Sequence, residues 1–418
     1  MEKQKQKNEG RDSPTTVVGD SLSWGNGMGT YLPAYLKTQN RTRVMDLFLE
    51  HKEMTRPDIS KLTGISMPTV IKIVDFLISK NILIENPEDM IASDSGFGRR
   101  SQVLRLNSGA CSTIGVYFEG NALRIGLVNM AFEIVEEKEF PLKPIQVQPD
   151  KRDWFSHMIV DELRRLIDCH PETNILGVGF ALPGIVDCTN KRIRRSKNYP
   201  VSEDFYESFP VFKNFQEIPL YLENDMNAAS LGEMIQRKLF QNANLLYLSL
   251  GTGFGSGVII DGQIWHGTSY FAGNVARILI PETSEEGLRY GQKKYVEDYI
   301  CQRELQNKFH FDFRSPESCS LEKRREVMRY ISQFLAFVIH NLSHLFDIHD
   351  FVMAGLTVEY FGDLFFEILE EEIHKTDDPD RAKPEIHIMP SVSGKEGIVG
   401  AAYVAFSNGL PQLLAESR

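Results

Sequence analysis

Apolar residues near the beginning of the chain recur at helical spacing in three short segments. The first stripe starts at Arg41. The second follows Thr55, where Thr-Arg-Pro-Asp predicts a capping box, and it stops at Gly64, because a left-handed C-cap favours glycine. The third follows Ser66, with proline in its first turn. The spacing therefore predicts three helices, of which the second and third are joined by a tight turn.

Two alternating segments come next and predict a pair of strands. They are residues 82–84 and 103–106, and the polar stretch 85–100 between them predicts a loop. Three helices followed by a strand pair are typical of a winged helix-turn-helix, which we place at residues 38–107. Residues 1–37 are polar without an apolar period, and they predict a disordered tail.

The predicted turn, second helix and wing carry side chains suited to nucleic acid. The second helix of a helix-turn-helix enters the major groove, where hydroxyls, lysine and methionine can contact phosphates, bases and thymine methyls. A glycine-flanked basic run in the wing loop suits a narrow minor groove. The DNA-contact candidates are Ser66, Met67, Thr69, Lys72, Arg99 and Arg100. A protein-docking module built from the same helices and hairpin is the alternative.

The remainder of the chain has a different pattern and a different charge. Strands and helices alternate from residue 108 onward, which predicts an α/β body large enough for two lobes. The apolar run at residues 175–181 is typical of a fully buried strand. The 418-residue chain carries a net charge of −11, divided into +2 over residues 1–110 and −13 over the rest. An acidic body repels nucleic acid, so we expect DNA contacts only in the first segment.

The cysteines and the apolar runs narrow the class of protein further. Five cysteines lie far apart, with no CxxC pair: Cys111, Cys169, Cys188, Cys301 and Cys319. This spacing excludes a cysteine-only zinc site and favours a reducing cytoplasm over a disulfide framework. No apolar stretch reaches the roughly 18 residues of a membrane helix, and we expect no membrane partner.

Four glycine-bearing loops follow predicted buried strands, where α/β folds place ligands. They are residues 181–187, 223–229, 251–257 and 353–357. Each loop taken alone is explained equally well as a tight turn between a strand and a helix. Taken together and in this order, they resemble the ROK family of repressors, open reading frames and sugar kinases.

The resemblance begins at residue 38 and implies a winged helix-turn-helix followed by a two-lobed actin/hexokinase-like ATPase fold. Lobe I would span residues 108–224, with residues 395–418 packing back on it, and lobe II residues 225–394. The fused winged helix is similar to that of the family's repressor branch, which includes xylose and N-acetylglucosamine repressors. The family's sugar-binding positions would be Gly184, Asn198, Asn224 and Asp225, and Asp225 would match the general base of the kinases. The family's phosphate loop would survive as Gly251, Thr252, Gly253 and Gly255.

Three departures from the family pattern change what the resemblance implies. Residues 116–120 replace the Asp-x-Gly-Gly-Thr motif that contacts phosphate and metal, and their bulky side chains are expected to fill the phosphate space. Asn274 and Arg277 replace a sugar-binding Glu and a His that also ligates zinc. Residues 288–295 lack the three zinc-binding cysteines, although Glu297 after them remains. We therefore expect no zinc, no other cofactor and no kinase activity.

The sequence thus predicts a sugar-responsive transcriptional repressor that acts as a homodimer or tetramer. Its partners would be operator DNA and a sugar or sugar derivative bound between the lobes by Gly184, Asn198, Asn224, Asp225, Asn274, Arg277 and Glu297. An ATP-dependent sugar kinase and a docking protein that binds no sugar are the alternatives. Arg277 either grips an anionic group of the effector or pairs with Glu282 or Glu285 and leaves a neutral sugar.

Overall fold

The computed structural model describes ten stretches of the chain between residues 33 and 415. They are residues 33–91, 101–119, 122–141, 149–194, 204–240, 243–284, 287–310, 312–313, 319–376 and 385–415. These stretches form an N-terminal domain of helices and a small sheet, followed by two α/β lobes. The architecture confirms the predicted fold class.

The N-terminal domain is a winged helix. Its elements are α1 (Pro33–Glu50), β1 (Glu53–Met54), α2 (Arg56–Thr63), α3 (Met67–Ser79), β2 (Leu83–Ile91) and β3 (Ser101–Leu106), and its sheet has the order β1-β3-β2. Thr55 and Asp58 form the reciprocal capping box of α2, and Gly64 ends that helix with φ of +68°. The chain turns by 119° between α2 and α3, as in other helix-turn-helix motifs.

Two boundaries differ from the sequence prediction. Helix α1 begins at Pro33 rather than near Arg41, so it takes in the last residues of the predicted tail. Its early turns include exposed positions such as Leu36, so the apolar stripe becomes visible only later. Strand β2 continues to Ile91 through the first part of the predicted loop, because it pairs with β3 across a bulge. That irregularity accommodates the proline at residue 87.

No helix in the described stretches is by itself long and apolar enough to span a membrane. The bent pair α2–α3 meets that criterion by length and composition alone.

Lobe I is built on a five-stranded sheet of order β6-β5-β4-β7-β10, in which β4, β7 and β10 are parallel. A helix and a cluster of phenylalanines cover one face of this sheet. Its elements are β4 (Ser112–Glu119), β5 (Ala122–Asn129), β6 (Ile134–Pro141), α4 (Pro149–Cys169), β7 (Ile175–Leu182), β8 (Ile185–Asp187), β9 (Arg192–Arg194), α5 (Phe205–Ser208) and β10 (Leu220–Asn224).

Lobe II repeats the topology of lobe I, with the sheet order β13-β12-β11-β16-β17. In both sheets the first strand lies in the centre, the second and third lie to one side and the fourth and fifth to the other. Its elements are α6 (Asp225–Gln236), β11 (Leu245–Leu250), β12 (Phe254–Ile260), β13 (Gln263–Ile264), β14 (Glu282–Ser284), β15 (Gly287–Arg289), α7 (Glu297–Ile300), α8 (Gln302–Phe309), α9 (Leu321–Phe346), β16 (Asp350–Ala354), α10 (Leu356–Phe361), α11 (Asp363–His374) and β17 (His387–Pro390).

The last helix, α12 (Glu396–Leu414), joins all three parts. Glycines allow its backbone to approach its neighbours closely: a Cβ at Gly179 of β7 would lie 1.8 Å from the carbonyl oxygen of Ala401, and one at Gly400 would lie 1.7 Å from that of Ala228. At its other end, Arg41 of α1 donates a buried 2.6 Å hydrogen bond to the carbonyl of Leu414. The winged helix and the body therefore share one hydrophobic cluster.

Candidate functional site

The first half of α3 presents the predicted DNA-contact side chains to solvent. Ser66 and Lys72 are exposed, and Met67 exposes 37% of its surface. Thr69 is half-buried, and its hydroxyl lies 2.9 Å from that of Ser66 in a shared hydrogen bond. The opposite face of the helix is anchored in the domain core by Val70, Ile73, Val74 and Leu77. The outer face of this helix is therefore accessible from solvent.

Two properties of this outer face were missed in the sequence prediction. Ile71 exposes 41% of its surface one turn after Met67, which makes the centre of the face apolar. Asp75, one further turn along, accepts a hydrogen bond from Arg56, whose guanidinium also pairs with Glu85. Met67, Ile71 and Asp75 follow one another at intervals of four residues, and this spacing could have shown that they share one face of the helix.

Three of the predicted site residues lie outside the described residues. They are Arg99 and Arg100 of the wing loop and Asn198 of the sugar site.

The second candidate site lies where strands of the two lobes end and glycine loops follow. Asn224 ends β10 and caps α6: its side-chain oxygen accepts from the backbone N–H groups of Met226 and Asn227. Its Nδ2 donates to the carbonyl of Gly184 over 2.7 Å and to Oδ1 of Asp225 over 2.8 Å. These four bonds use the full capacity of an amide side chain. Asn224 therefore positions its neighbours, and its amide is not free for a sugar hydroxyl.

Asp225 is the first residue of α6 and lies beside Asn224 and Gly184. Desolvation raises its pKa to about 7, against the opposing effect of the hydrogen bonds from the Met226 N–H and the Asn224 amide. Both of these bonds end on Oδ1. A carboxyl group held in this way can accept a hydrogen bond from a ligand hydroxyl through Oδ2. Gly184 beside it has φ of +118°, a conformation that favours glycine.

The residues that replace the family's Glu and His lie further out. Asn274 and Arg277 are both exposed, on either side of a short 3-10 turn. The guanidinium carbon of Arg277 lies 4.9 Å from the ring centroid of Tyr295, as in a cation–π contact. The side chains of Glu282 and Glu285, its expected acidic partners, are outside the described part.

The predicted phosphate loop has two different parts. The N–H of Gly251 donates to the carbonyl of Gly253, which forms the tight turn between β11 and β12, and Thr252 is exposed at its tip. Gly255 lies in β12, where a Cβ would meet Met226 of α6 at 2.6 Å, so it is a packing glycine. Glu297 approaches the same turn, with Oε1 3.1 Å from the Cβ position of Gly253.

The expectation that residues 116–120 fill the phosphate space needs correction. Val116 and Phe118 point into the core of lobe I, because side chains alternate along β4. Of the side chains of this segment that the structure describes, Tyr117 is the one that faces α12, where its ring lies against Gly397. Gly120 is outside the described residues.

A cluster that the sequence did not reveal lies next to Asn224. Cys188, Glu223 and His266 come together there, with the Oε2 atom of Glu223 2.8 Å from Nε2 of His266 and 3.5 Å from Sγ of Cys188. Within the described part of the chain, this is the one group of His, Cys, Asp or Glu side chains with the proximity that metal ligands require. No sequence signal marks it, because its members are separated by 35 and 43 residues.

The segment aligned with the family's zinc motif has no side chains that commonly bind zinc. Residues 288–295 include no cysteine, histidine or carboxylate, and both Leu288 and Tyr290 are largely exposed. A zinc ion with the family's ligands does not fit there.

Two lobes of repeated topology, with glycine loops at the facing strand ends, define a protein of the actin/hexokinase-like class. The model of the ROK family matches residues 113–407, and the chain belongs to this family. The xylose repressor of Caldicellulosiruptor bescii is 26% identical over 368 residues, which cover 81% of this chain and 88% of that relative. A glucokinase of Halalkalibacterium halodurans is 29% identical over 175 residues, which cover 40% of this chain and 50% of that enzyme.

Among solved structures, a ROK family transcriptional regulator described as a homologue of the E. coli MLC protein has the same fold. Its TM-score is 0.68 at 17% identity, over 91% of this chain and 98% of that one.

Proposed function

We propose that this protein is a transcriptional repressor that binds operator DNA through its winged helix and senses a sugar or sugar derivative in the interlobe cleft. The observation that carries the proposal is the fusion of an outward-facing α3 to a ROK body. Similarity to a xylose repressor over 81% of the chain supports it, because this share is larger than the body alone. The DNA-binding and effector-binding parts thus come as a unit.

The DNA contacts in this proposal come from α3 and the wing. Ser66, Thr69 and Lys72 would bind phosphates or base edges, and Met67 with Ile71 would pack on thymine methyl groups. Arg99 and Arg100 of the wing would reach a minor groove. The charge distribution favours DNA contacts in the winged helix over contacts in the body, since the body carries the negative charge of the chain.

The effector in this proposal lies against Asp225 and Gly184, with Asn198, Asn274, Arg277 and Glu297 as further candidates and Asn224 as a positioning residue. Burial raises the pKa of Asp225, as is common for carboxyl groups in ligand-binding sites, and its carboxyl group would bond a hydroxyl of the effector. Ligand binding between the lobes would shift DNA affinity only by the difference between its affinities for the two lobe arrangements.

We infer that the protein has no kinase activity, although one relative is a glucokinase. Phosphoryl transfer requires positioned phosphates and Mg²⁺ in addition to a base such as Asp225. Here residues 116–120 replace the family's Asp-x-Gly-Gly-Thr motif, and the N–H of Gly251 is already bonded to the carbonyl of Gly253. ADP release from MgATP in the presence of glucose or xylose is expected to stay at the level of buffer. Turnover that is lost in Asp225→Asn would establish the kinase alternative.

We also propose that the protein acts as a homodimer or tetramer. Two winged helices would then meet the two half-sites of a palindromic operator. Light scattering coupled to size exclusion would give the mass, and a monomer at micromolar concentration would contradict this part of the proposal.

The decisive experiment is a DNA-binding measurement with one lysine removed from α3. Selection from random duplexes would first define the operator, and fluorescence anisotropy would then give its Kd at several salt concentrations. We expect Lys72→Ala to weaken binding and, if the lysine contacts only phosphate, to reduce the slope of log K against log salt by about one. The double variant Arg99→Ala with Arg100→Ala should weaken binding as well.

Lys213→Ala is the matched control, because Lys213 is an exposed lysine of the body. It should leave both the Kd and the salt slope unchanged. Equal Kd values for the wild type, Lys72→Ala and the arginine double variant would eliminate the winged helix as the DNA-binding element.

A further inference from the structure

Three side chains from separate segments converge next to Asn224. Cys188 follows β8, Glu223 is in β10, and His266 follows β13. The Sγ of Cys188 lies 3.5 Å from Nε2 of His266 and 3.5 Å from Oε2 of Glu223, and these last two atoms are 2.8 Å apart. The three potential ligand atoms therefore form a small triangle with one atom from each residue.

This triangle is close to one face of a tetrahedral zinc site. In such a site the Zn–S bond is about 2.3 Å long, and the Zn–N and Zn–O bonds are about 2.0 Å long. Tetrahedral angles then place the sulfur about 3.5 Å from the nitrogen and from the oxygen, and the nitrogen about 3.3 Å from the oxygen. The two sulfur distances already agree with these values. The nitrogen–oxygen pair would have to separate by about 0.5 Å, which is the change from a hydrogen bond to shared coordination.

We propose that Cys188, Glu223 and His266 bind a zinc ion or a similar borderline-soft divalent metal. On binding, the thiol proton leaves to solvent, and the proton between Nε2 of His266 and Glu223 leaves to solvent or moves to Nδ1, so the neutral imidazole coordinates through Nε2 with its proton on Nδ1. A thiolate and a carboxylate together balance the two positive charges of the ion. Cys188 and His266 are only partly buried, so the fourth position of the ion is accessible to water or a ligand oxygen.

The surroundings of Glu223 support this role. Its Oε1 accepts hydrogen bonds from the N–H of Asn224 over 2.8 Å and from Nδ2 of Asn227 over 2.9 Å. These bonds orient the buried carboxylate so that Oε2 points to Cys188 and His266. Outer partners that fix a metal-binding carboxylate in this way are a regular feature of metal sites.

The location gives the ion a structural consequence. Cys188 and Glu223 belong to lobe I, whereas His266 belongs to the loop after β13 of lobe II. Another link between the same loops is the 2.9 Å hydrogen bond from the Tyr270 hydroxyl to Thr189. A metal ion here would therefore connect the two lobes next to Asp225. This site is separate from residues 288–295, which offer no ligands.

The test uses the full chain, stripped of metal by chelation and dialysis under reducing conditions. Zinc affinity would be measured by competition with a chromophoric chelator, and Co²⁺ would serve as a spectroscopic probe because a thiolate ligand gives it a strong near-ultraviolet charge-transfer band. We expect one equivalent of metal per chain and this band in the wild type. Cys188→Ser should remove the band, and Cys188→Ser and His266→Gln should each weaken zinc binding at least tenfold.

Cys169→Ser is the matched control, since Cys169 is an exposed cysteine away from the cluster. It should bind both metals as the wild type does. Far-ultraviolet circular dichroism of each metal-free variant would establish that it is folded. Absence of stoichiometric metal, or a cobalt band that persists in Cys188→Ser, would overturn the proposal and leave the cluster as a hydrogen-bonded network. Operator binding by metal-free protein is a separate readout, so failure here would not touch the proposed repressor function.

Discussion

Asn224 and Asp225 are adjacent residues with similar side chains and different roles. The amide of Asn224 is consumed by the cap of α6 and by Gly184 and Asp225. Asp225 accepts the hydrogen bonds from Asn224 and from the Met226 N–H on Oδ1. The resemblance predicted both as sugar ligands, and a motif alone does not show that the amide of Asn224 is already used within the protein.

The two expectations for Arg277 can be separated at the level of single side chains. Calorimetry with matched aldoses and aldose phosphates would compare the wild type, Arg277→Ala and Asp225→Ala. Because Arg277 is exposed and lies over Tyr295, we expect its loss to cost less than about 1 kcal/mol of effector binding. Loss of Asp225 should cost more, about 1–3 kcal/mol, because it leaves a hydroxyl of the bound effector unpaired. Preferential binding of the phosphate that disappears in Arg277→Ala would instead establish an anionic effector.

Among the elements, α12 is the one whose packing depends most directly on glycine. Gly400 lets α12 contact α6 backbone to backbone, and Gly179 and Gly115 do the same for α12 against the sheet of lobe I. Glycine in a helix interior lowers helix stability by about 1 kcal/mol relative to alanine. The sequence shows these glycines, but it does not show which of them have a neighbour.

The contact at Gly400 predicts that a normally favourable substitution becomes unfavourable. We expect Gly400→Ala to lower the free energy of unfolding by about 1–3 kcal/mol, because the new methyl group would overlap the carbonyl of Ala228 and displace the helix. Gly409→Ala, in the same helix, is the control: its new Cβ would lie 3.0 Å from the Cβ of Leu176 and 3.3 Å from the carbonyl oxygen of that residue, a much smaller overlap than the one at Gly400. Urea denaturation would rank the two variants, and a Gly400→Ala protein as stable as the wild type would contradict the packing described for α12.

On the scale of the whole molecule, α12 connects the two lobes to the winged helix. Its first turn lies beside Tyr117 and Tyr247, and its last turn is buried against α1. The cluster that holds α1 to α12 also contains residues of α3 and of the hairpin after β5. The body and α3 are therefore joined by one continuous set of packed side chains.

Weakening this junction should affect DNA binding more than it affects folding elsewhere. We expect Leu414→Ala to weaken operator binding severalfold, because α1 and the recognition helix lose a fixed orientation on the body. Leu369→Ala is the control, since Leu369 is equally buried but lies in the core of lobe II. Both variants should lose about 2–5 kcal/mol of stability in denaturant melts. Equal loss of operator affinity in both would show that the effect comes from stability alone.

The sequence by itself determined the features that depend on a few neighbouring residues. The capping box at Thr55, the left-handed turn at Gly64 and the apolar stripe of α3 are local, so their signals are complete within one or two helical turns. The wing was predicted as a strand pair for the same reason, although pairing with β3 extended β2 into the polar segment. The ROK loops were recognisable because each is a short motif at the end of a strand.

The tertiary structure alone decided what depends on the meeting of distant segments. In the folded chain, Val116 and Phe118 point into the core of lobe I, and Tyr117 lies beside α12. The amide of Asn224 is bonded to other groups of the protein. The tertiary structure also brought together Cys188, Glu223 and His266, which have no spacing pattern in the chain. Such arrangements follow from strand register and from the packing of one lobe on the other. Their energies involve pairs of residues far apart in sequence, so no local pattern contains them.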